Sequence, residues 1–297
     1  MSESAMNDTG DTVNPVFDQY GPALAEALRE NVRAAIAEDV GSGDWTGQLV
    51  PADKQAHARV IVREEAVLCG QPWFDACMHA VDPRLQIRWL QREGTLMAAD
   101  SVVCEIDGPA RSLLTAERPS LNFLQLLSGV ATATRRYADL VVGTRARVLD
   151  TRKTLPGLRL AQKYAVKVGG GDNQRLALYD GILIKENHIA AAGGVTAALQ
   201  AAAALNAGVP VQVEVESLVE LEEALAAGAV SILLDNFTEP MMREAVRVNR
   251  GRAVLEVSGG VNANTIRRFA ETGVDRISVG ALTKDVRATD YSLRIIG

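Results

Sequence analysis

Beyond Ala146 the chain repeats one pattern: a short apolar run, a polar residue or glycine at its end, then in most cases an alanine-rich helical stretch. The runs lie at 147–149, 181–184, 211–215, 231–234, 254–257 and 276–279. Runs this short and this apolar, alternating with helices, read as the strands of a parallel sheet covered by helices. Each ends in chemistry: Asp150 and Arg152, Lys185 and Glu186, Glu214 and Glu216, Asp235, Ser258 to Gly260, and Gly280. Reactive groups at the carboxyl end of strand after strand are the layout of a (β/α) barrel, whose site lies on that face. Six strands are clear, and one more is expected between residues 165 and 180.

The first hundred-odd residues follow another plan. Residues 1 to about 20 are polar and read as a loose arm. Leu24, Leu28, Val32, Ala35 and Ile36 predict an amphipathic helix over 22–39. Alternation at 57–62 and an apolar run at 102–106 predict strands, giving an α+β layer. A long helix is expected from Thr115, as its cap, to about Tyr137, with Pro119 in the first turn. Farther on, Ser217 with Glu220 predicts a capping box, and Gly273 the end of a helix begun near Asn264.

Composition narrows the class. Aromatic residues are 4% of the 297 against 47% hydrophobic, so the core rests on small-residue packing. A formal net charge of −6 leaves no general footprint for nucleic acid or an anionic membrane. No apolar run approaches the roughly 20 residues of a membrane span. The first residues lack the basic start and apolar core of a signal peptide, and a cytoplasmic enzyme is the expectation. Cys69, Cys77 and Cys104 show no CxxC spacing and read as ordinary thiols in a reducing compartment. His57, His79 and His188 are not spaced as metal ligands.

Against the acidic balance, residues 150–188 concentrate Arg152, Lys153, Arg159, Lys163, Lys167, Arg175 and Lys185. A small, multiply charged anion suits such a segment. Arg152 and Arg175 offer planar forks that hold carboxylates bidentately. Arg159 and Lys163 read as solvated helix charges, whereas Arg152 and Lys185 closely follow strands and belong at the barrel mouth. Lys185 at a strand end has a second reading, as a Schiff-base lysine. Glycines at 259, 260 and 280 let backbone N–H groups approach a phosphate, and an ordinary tight turn is their other reading. Glu216 shares a face with Glu214 only if the strand continues; a turn frees it for the helix entry at Ser217.

The order DTRKT, KYAV, GGG and LIKENH across 150–188 resembles the type II phosphoribosyltransferases, specifically the quinolinate phosphoribosyltransferase family. EDVGSGDWT at 38–46, ERPSLNFLQ at 117–125, QVEVE at 212–216, LLDN at 233–236 and EVSGG at 256–260 extend the resemblance over nearly the whole chain. It implies an α/β fold: after the polar arm, taken as 1–21, an open-faced sandwich domain over 22–129 to which the tail 286–297 returns. An incomplete, seven-stranded (β/α) barrel over 130–285 carries catalysis. The implied reaction joins quinolinate to phosphoribosyl pyrophosphate, releasing pyrophosphate and CO2 and leaving nicotinate mononucleotide for NAD biosynthesis.

The resemblance assigns Arg152, Gln174, Arg175 and Lys185 to quinolinate, with Arg118 reaching in from the neighbouring subunit of a homodimer. Phosphoribosyl pyrophosphate falls to Lys153, Glu214, Asp235, Ser258, Gly259, Gly260, Val279 and Gly280. Lys153, Glu214 and Asp235 are the catalytic set, and Glu214 and Asp235 face Mg2+, directly or through water. Leu121, Leu124, Leu126 and Leu127 exceed what one helix face needs, which also points to a dimer. Two positions depart from the family pattern: Gln174 and Lys284 stand where it generally has histidine. Glutamine can donate to a carboxylate but cannot titrate near neutral pH. His188 reads equally as an orienting or a structural group. The alternatives are a homologue acting on another acceptor, and a catalytically silent ligand-binding protein.

Overall fold

The computed structural model describes residues 15–296. The expectation of a loose arm over 1–20 therefore lies mostly outside the described residues, and where it can be read it gives way to order. Helix α1 (Pro15–Asp18) leads into α2 (Gly21–Asp39). Phe17 packs edge-on against Trp73 and Tyr164, and aromatic contact of this kind outweighs the polar character of the neighbouring sequence.

Strands β1 (Gln55–Val62), β3 (Gln86–Trp89) and β5 (Val102–Pro109) form an antiparallel sheet, with β2 (Ala66–Val67) and β4 (Leu96–Met97) as a small separate pair. The alternating burial of β1 turns Ala56, Ala58, Val60 and Val62 toward α3 (Gln71–Val81) and α4 (Ala110–Leu140). Helix α4 begins at Ala110, directly after Pro109, rather than at Thr115. Thr115 is thus no cap; its hydroxyl donates to Asp44 (2.8 Å) and to the Arg111 carbonyl (2.9 Å). Pro119 lies well inside the helix instead of in its first turn, removing only the single N–H that would meet Thr115. Leu113, Leu121 and Leu124 of α4 fill the sheet's core, while Phe123, Leu127 and Val130 fill the second. The leucines that seemed too many for one face are therefore used within the chain, because this helix serves two cores.

The second core belongs to a parallel sheet of β6 (Arg147–Leu149), β7 (Ile182–Ile184), β8 (Val211–Val215), β9 (Ser231–Asp235), β10 (Val254–Ser258) and β11 (Arg276–Ser278). Their order is β6-β11-β10-β9-β8-β7. All six expected strands are present. The seventh is reduced to a single parallel bridge between Leu149 and Asp172. GGG at 169–171 has little side-chain surface to pack on a sheet, which explains why no ladder forms there. The final strand β12 (Tyr291–Ile295) returns to pair antiparallel with β1. Ser217 caps the helix Leu218–Ala226 as expected, although the Glu220 carboxylate accepts from Glu216 N–H rather than from the cap itself. Among the described residues no helix is long and apolar enough to cross a membrane.

All three cysteines are buried and free. The returning tail depends on close backbone approach: a Cβ on Gly129 would overlap the carbonyl oxygen of Arg287. Gly129→Ala should therefore cost about 2 kcal/mol, the scale of overpacking a filled interior. Urea unfolding checks this, and an unchanged midpoint would mean that α4 and the tail are not in this contact.

Candidate active site

The parallel register sets the carboxyl ends of the strands side by side. Ser258 pairs with Asp235, Val215 with Leu234, and Ile184 with Val213, so Lys185 and Glu214 emerge at one level. Lys185 Nζ meets both oxygens of Glu214, at 3.1 and 3.0 Å. The Lys185 side chain is 45% exposed and that of Glu214 only 8%. Burial raises the Glu214 carboxyl above its ordinary range; the Lys185 ammonium opposes the shift, and the charges of Asp235 and Glu186 add to it. Asp235 accepts from the Asn236 amide at 2.7 Å, and Asn236 N–H donates to the Ser258 carbonyl at 3.2 Å. Gly259, at φ +94°, fits here because a Cβ would overlap Asn236 Oδ1.

On the other side of the mouth, Lys153 lies over Gly280, whose added Cβ would stand 3.3 Å from Lys153 Cδ. Thr283 Oγ1 donates to the Lys153 carbonyl at 2.8 Å and holds this loop to the helix after Gly280. Arg175 Nη1 donates to the Gly181 carbonyl at 2.8 Å. Burial, followed by the charge of Arg152, lowers the Arg175 guanidinium below its ordinary value, so the two forks share one locality. Arg152 Nε is buried with no hydrogen-bond partner. A buried donor left open at a barrel mouth is suited to an incoming anion.

The structure thus brings together Arg152 with Arg175, Lys153 with Gly280, and Lys185 with Glu214, Asp235 and the Ser258–Gly259 turn. Two assignments change. Val279 is buried and its N–H is spent on the Leu149 carbonyl (2.8 Å), so it has no donor for a phosphate; strand pairing claims it. Gln174 points into the barrel, where both amide hydrogens are taken by Gln212 and Glu256, leaving none for a substrate carboxylate. Arg118 was expected to serve a neighbouring subunit, and within this chain its ion pair is with Glu117, at 3.9 Å. Lys284 pairs with Asp285, His188 Nδ1 accepts from Lys185 N–H, and Glu216 is exposed beyond the end of β8.

Sequence reasoning missed the support beneath this face. Lys163 is fully buried and bonds Asp150 at 2.5 Å and the Gln174 carbonyl at 2.9 Å. Burial pushes Asp150 up and Lys163 down, each opposed by the other's charge. Asn173 bridges Asp150 (2.7 Å) to Tyr20 (2.5 Å), so α2's entry is tied to the segment that carries Arg152. Arg159 likewise is no solvated charge: it donates to Thr154 and to the Leu176 carbonyl. The one signal in the sequence was the helical spacing of Lys163 with Tyr164 and Lys167, which does not tell which face turns inward.

Residues 130–294 match the family described as "Quinolinate phosphoribosyl transferase, C-terminal domain", and residues 44–128 match its N-terminal domain. The chain belongs to the quinolinate phosphoribosyltransferase family. Within that family it is 42% identical to the carboxylating nicotinate-nucleotide pyrophosphorylase of Mycobacterium leprae, over 90% of this chain and 97% of that one. A probable enzyme of the same name from Bacillus subtilis is 38% identical over 90% of this chain and 93% of its own length. The structure of nicotinate-nucleotide pyrophosphorylase from Francisella tularensis superposes with a TM-score of 0.88 at 45% identity, covering 91% of this chain and 96% of that one. The family's two-domain α/β arrangement is therefore the one observed here.

Because the quinolinate phosphoribosyltransferase fold here sets its site on a buried ion pair, that pair is testable. Lys163→Met leaves the Asp150 carboxylate uncompensated and should cost about 3–5 kcal/mol. Adding Asp150→Asn should recover part of it, as read by urea unfolding; an unaffected single variant would show the pair to be dispensable.

Proposed function

We propose that the carboxyl-end face of the parallel sheet is where this chain transfers the phosphoribosyl group to quinolinate. The enzyme is a carboxylating nicotinate-nucleotide pyrophosphorylase, making nicotinate mononucleotide for NAD synthesis. The observation that carries the site is the pairing of two arginine forks, Arg152 with an open buried donor and Arg175 beside it. Two neighbouring carboxylates on a pyridine ring match two guanidinium groups better than one carboxylate would.

The chain's own groups divide the work. Arg152 and Arg175 hold the dicarboxylate, and Lys185 neutralises it from the side of β7. Lys153, over Gly280, meets the pyrophosphate of the co-substrate, while the Ser258–Gly260 turn holds its phosphate. Glu214 and Asp235 face the ribose hydroxyls. As the C1–oxygen bond breaks and pyrophosphate leaves with its electron pair, the ribose carbon gains oxocarbenium character and the ring nitrogen attacks it. The quaternised nitrogen then accepts the electrons of the adjacent ring–carboxylate bond. CO2 departs, and that ring carbon takes up a proton. Orientation and charge stabilisation supply most of the protein's contribution.

Magnesium fits the donor chemistry here: two hard carboxylates, Glu214 and Asp235, suit an ion that keeps waters and bridges to substrate phosphates, whose charge it would neutralise.

Arg118 completes the site from a second copy. Its side chain is 54% exposed, and Trp45 and Leu49 stand exposed near the same end of α4, whose Thr115 holds Asp44. Leu178 and Tyr179 are exposed in the loop that follows Arg175. These two apolar patches support a homodimer in which one chain's α4 meets the other's barrel mouth. A cytoplasmic location is the reading for this chain.

Arg118→Ala and Arg152→Ala test the site and its sharing together. Each variant alone should lose at least about a hundredfold in kcat/KM for quinolinate, the scale of truncating a desolvated charged contact. Mixed and reassembled, they should regain about a quarter of wild-type activity, since half the dimers then hold one intact site. No recovery on mixing would remove the shared site, and full activity of Arg152→Ala would remove the dicarboxylate assignment.

A further inference from the structure

Gln174 is held on four sides. Its N–H donates to Asp150 Oδ1 (2.9 Å) and its carbonyl accepts from Lys163 Nζ (2.9 Å). Its side-chain Nε2 donates to Gln212 Oε1 (2.8 Å) and to both oxygens of Glu256 (3.0 and 3.1 Å). Its Oε1 accepts from Arg175 N–H at 2.7 Å. The amide has one chemically allowed orientation. Reversed, it would set oxygen against the Glu256 carboxylate and an NH2 group against a backbone donor.

Glu256, on β10, is fully buried, and its other partners are the Gln212 amide (2.9 Å) and the Ser278 hydroxyl. Desolvating a carboxylate is costly, and an apolar side chain would fill the interior at lower cost. What the carboxylate adds is direction. As an acceptor facing Gln174 it dictates which end of that amide turns toward Arg175. Arg175 then enters its turn from a fixed backbone, with its guanidinium donating to Gly181 O and lying beside Arg152.

We propose that Glu256 and Gln174 are positioning residues for recognition of the acceptor's carboxylate. The Glu256 carboxylate orients an uncharged donor–acceptor strut at 174, and the strut holds Arg175 against the anion that Arg152 also meets. The inference rests on the dicarboxylate reading above and adds to it two residues that touch no substrate. It requires at 174 one donor and one acceptor, but no charge and no titration. A neutral imidazole carries such a pair; methionine, of similar length, carries neither.

Calorimetric binding of pyridine-2,3-dicarboxylate, with steady-state kinetics at pH 8, tests this on Gln174→Met, Gln174→His and Glu256→Met. Gln174→Met should weaken dicarboxylate binding and raise its KM about tenfold, the fold-change of one lost hydrogen bond, with KM for phosphoribosyl pyrophosphate unchanged. Gln174→His should return both to within about threefold of wild type. Glu256→Met should shift dicarboxylate affinity as Gln174→Met does, and the double variant no further than either alone.

Unchanged dicarboxylate affinity in Gln174→Met would overturn the proposal. So would a parallel loss for both substrates with a lowered melting temperature, the signature of a merely structural role. Should a methionine variant not fold, Gln174→His decides: a folded histidine variant that binds the dicarboxylate more than about tenfold weaker contradicts a neutral strut. Wild-type protein that binds the dicarboxylate but releases no CO2 would refute the reaction, and the affinity comparison would still decide the positioning role.

Discussion

The site depends on one buried ion pair. Asp150 directly follows the first strand of the parallel sheet, and Lys163 comes from the helix Arg159–Val168; they meet at 2.5 Å with neither side chain exposed. Such a pair contributes little net stability, since desolvation offsets much of the attraction. Its value is geometric. Asp150 also accepts from Asn173 and from Gln174 N–H, so two segments, the helix and the 173–174 turn, are fixed to a single carboxylate. Arg152 and Lys153 lie two and three residues beyond it, and Arg175 lies next to Gln174. The cationic groups are thus placed by a common support rather than by separate loops.

That support compensates for an incomplete barrel. Six strands pair in parallel, and at the position of another strand the chain offers one bridge at Asp172. A sheet edge without ladder partners has backbone groups to satisfy and an interior to close. Side-chain bonds take over that work here. Arg175 spans to Gly181, Leu176 and Ala177 N–H donate to Asp180, and Gln174 fills the interior against Gln212 and Glu256. The segment that fails to become a strand is the one that carries Arg175 of the proposed site. Function and irregularity coincide there because a regular ladder would have spent the backbone donors and turned Arg175 differently.

Much of this was legible in the sequence. Strand runs ending in Lys185, Glu214, Asp235 and Gly280 define the carboxyl-end face, because apolar period and chain chemistry agree at each. The tail's return to β1 and the order of motifs follow from the family resemblance. What could not be read is long-range pairing. Lys163 looks like any helix lysine until Asp150 is placed beneath it, and Gln174 looks like a substrate contact until Glu256 faces it from a strand 82 residues away. The leucines of α4 exceed one helix face for a related reason. Local rules assume one buried face per helix, and this helix has two. The role that the resemblance gave Arg118 belongs to the proposed dimer, and within its own chain its ion pair is with Glu117.

The central claim is that these strand ends perform decarboxylating phosphoribosyl transfer on a pyridine dicarboxylate. The most direct test measures CO2 and nicotinate mononucleotide from quinolinate, phosphoribosyl pyrophosphate and Mg2+, with nicotinate as acceptor in a parallel reaction. The account predicts both products in equal amounts from quinolinate and none from nicotinate. Turnover of nicotinate alone, or tight quinolinate binding with no turnover, would contradict it.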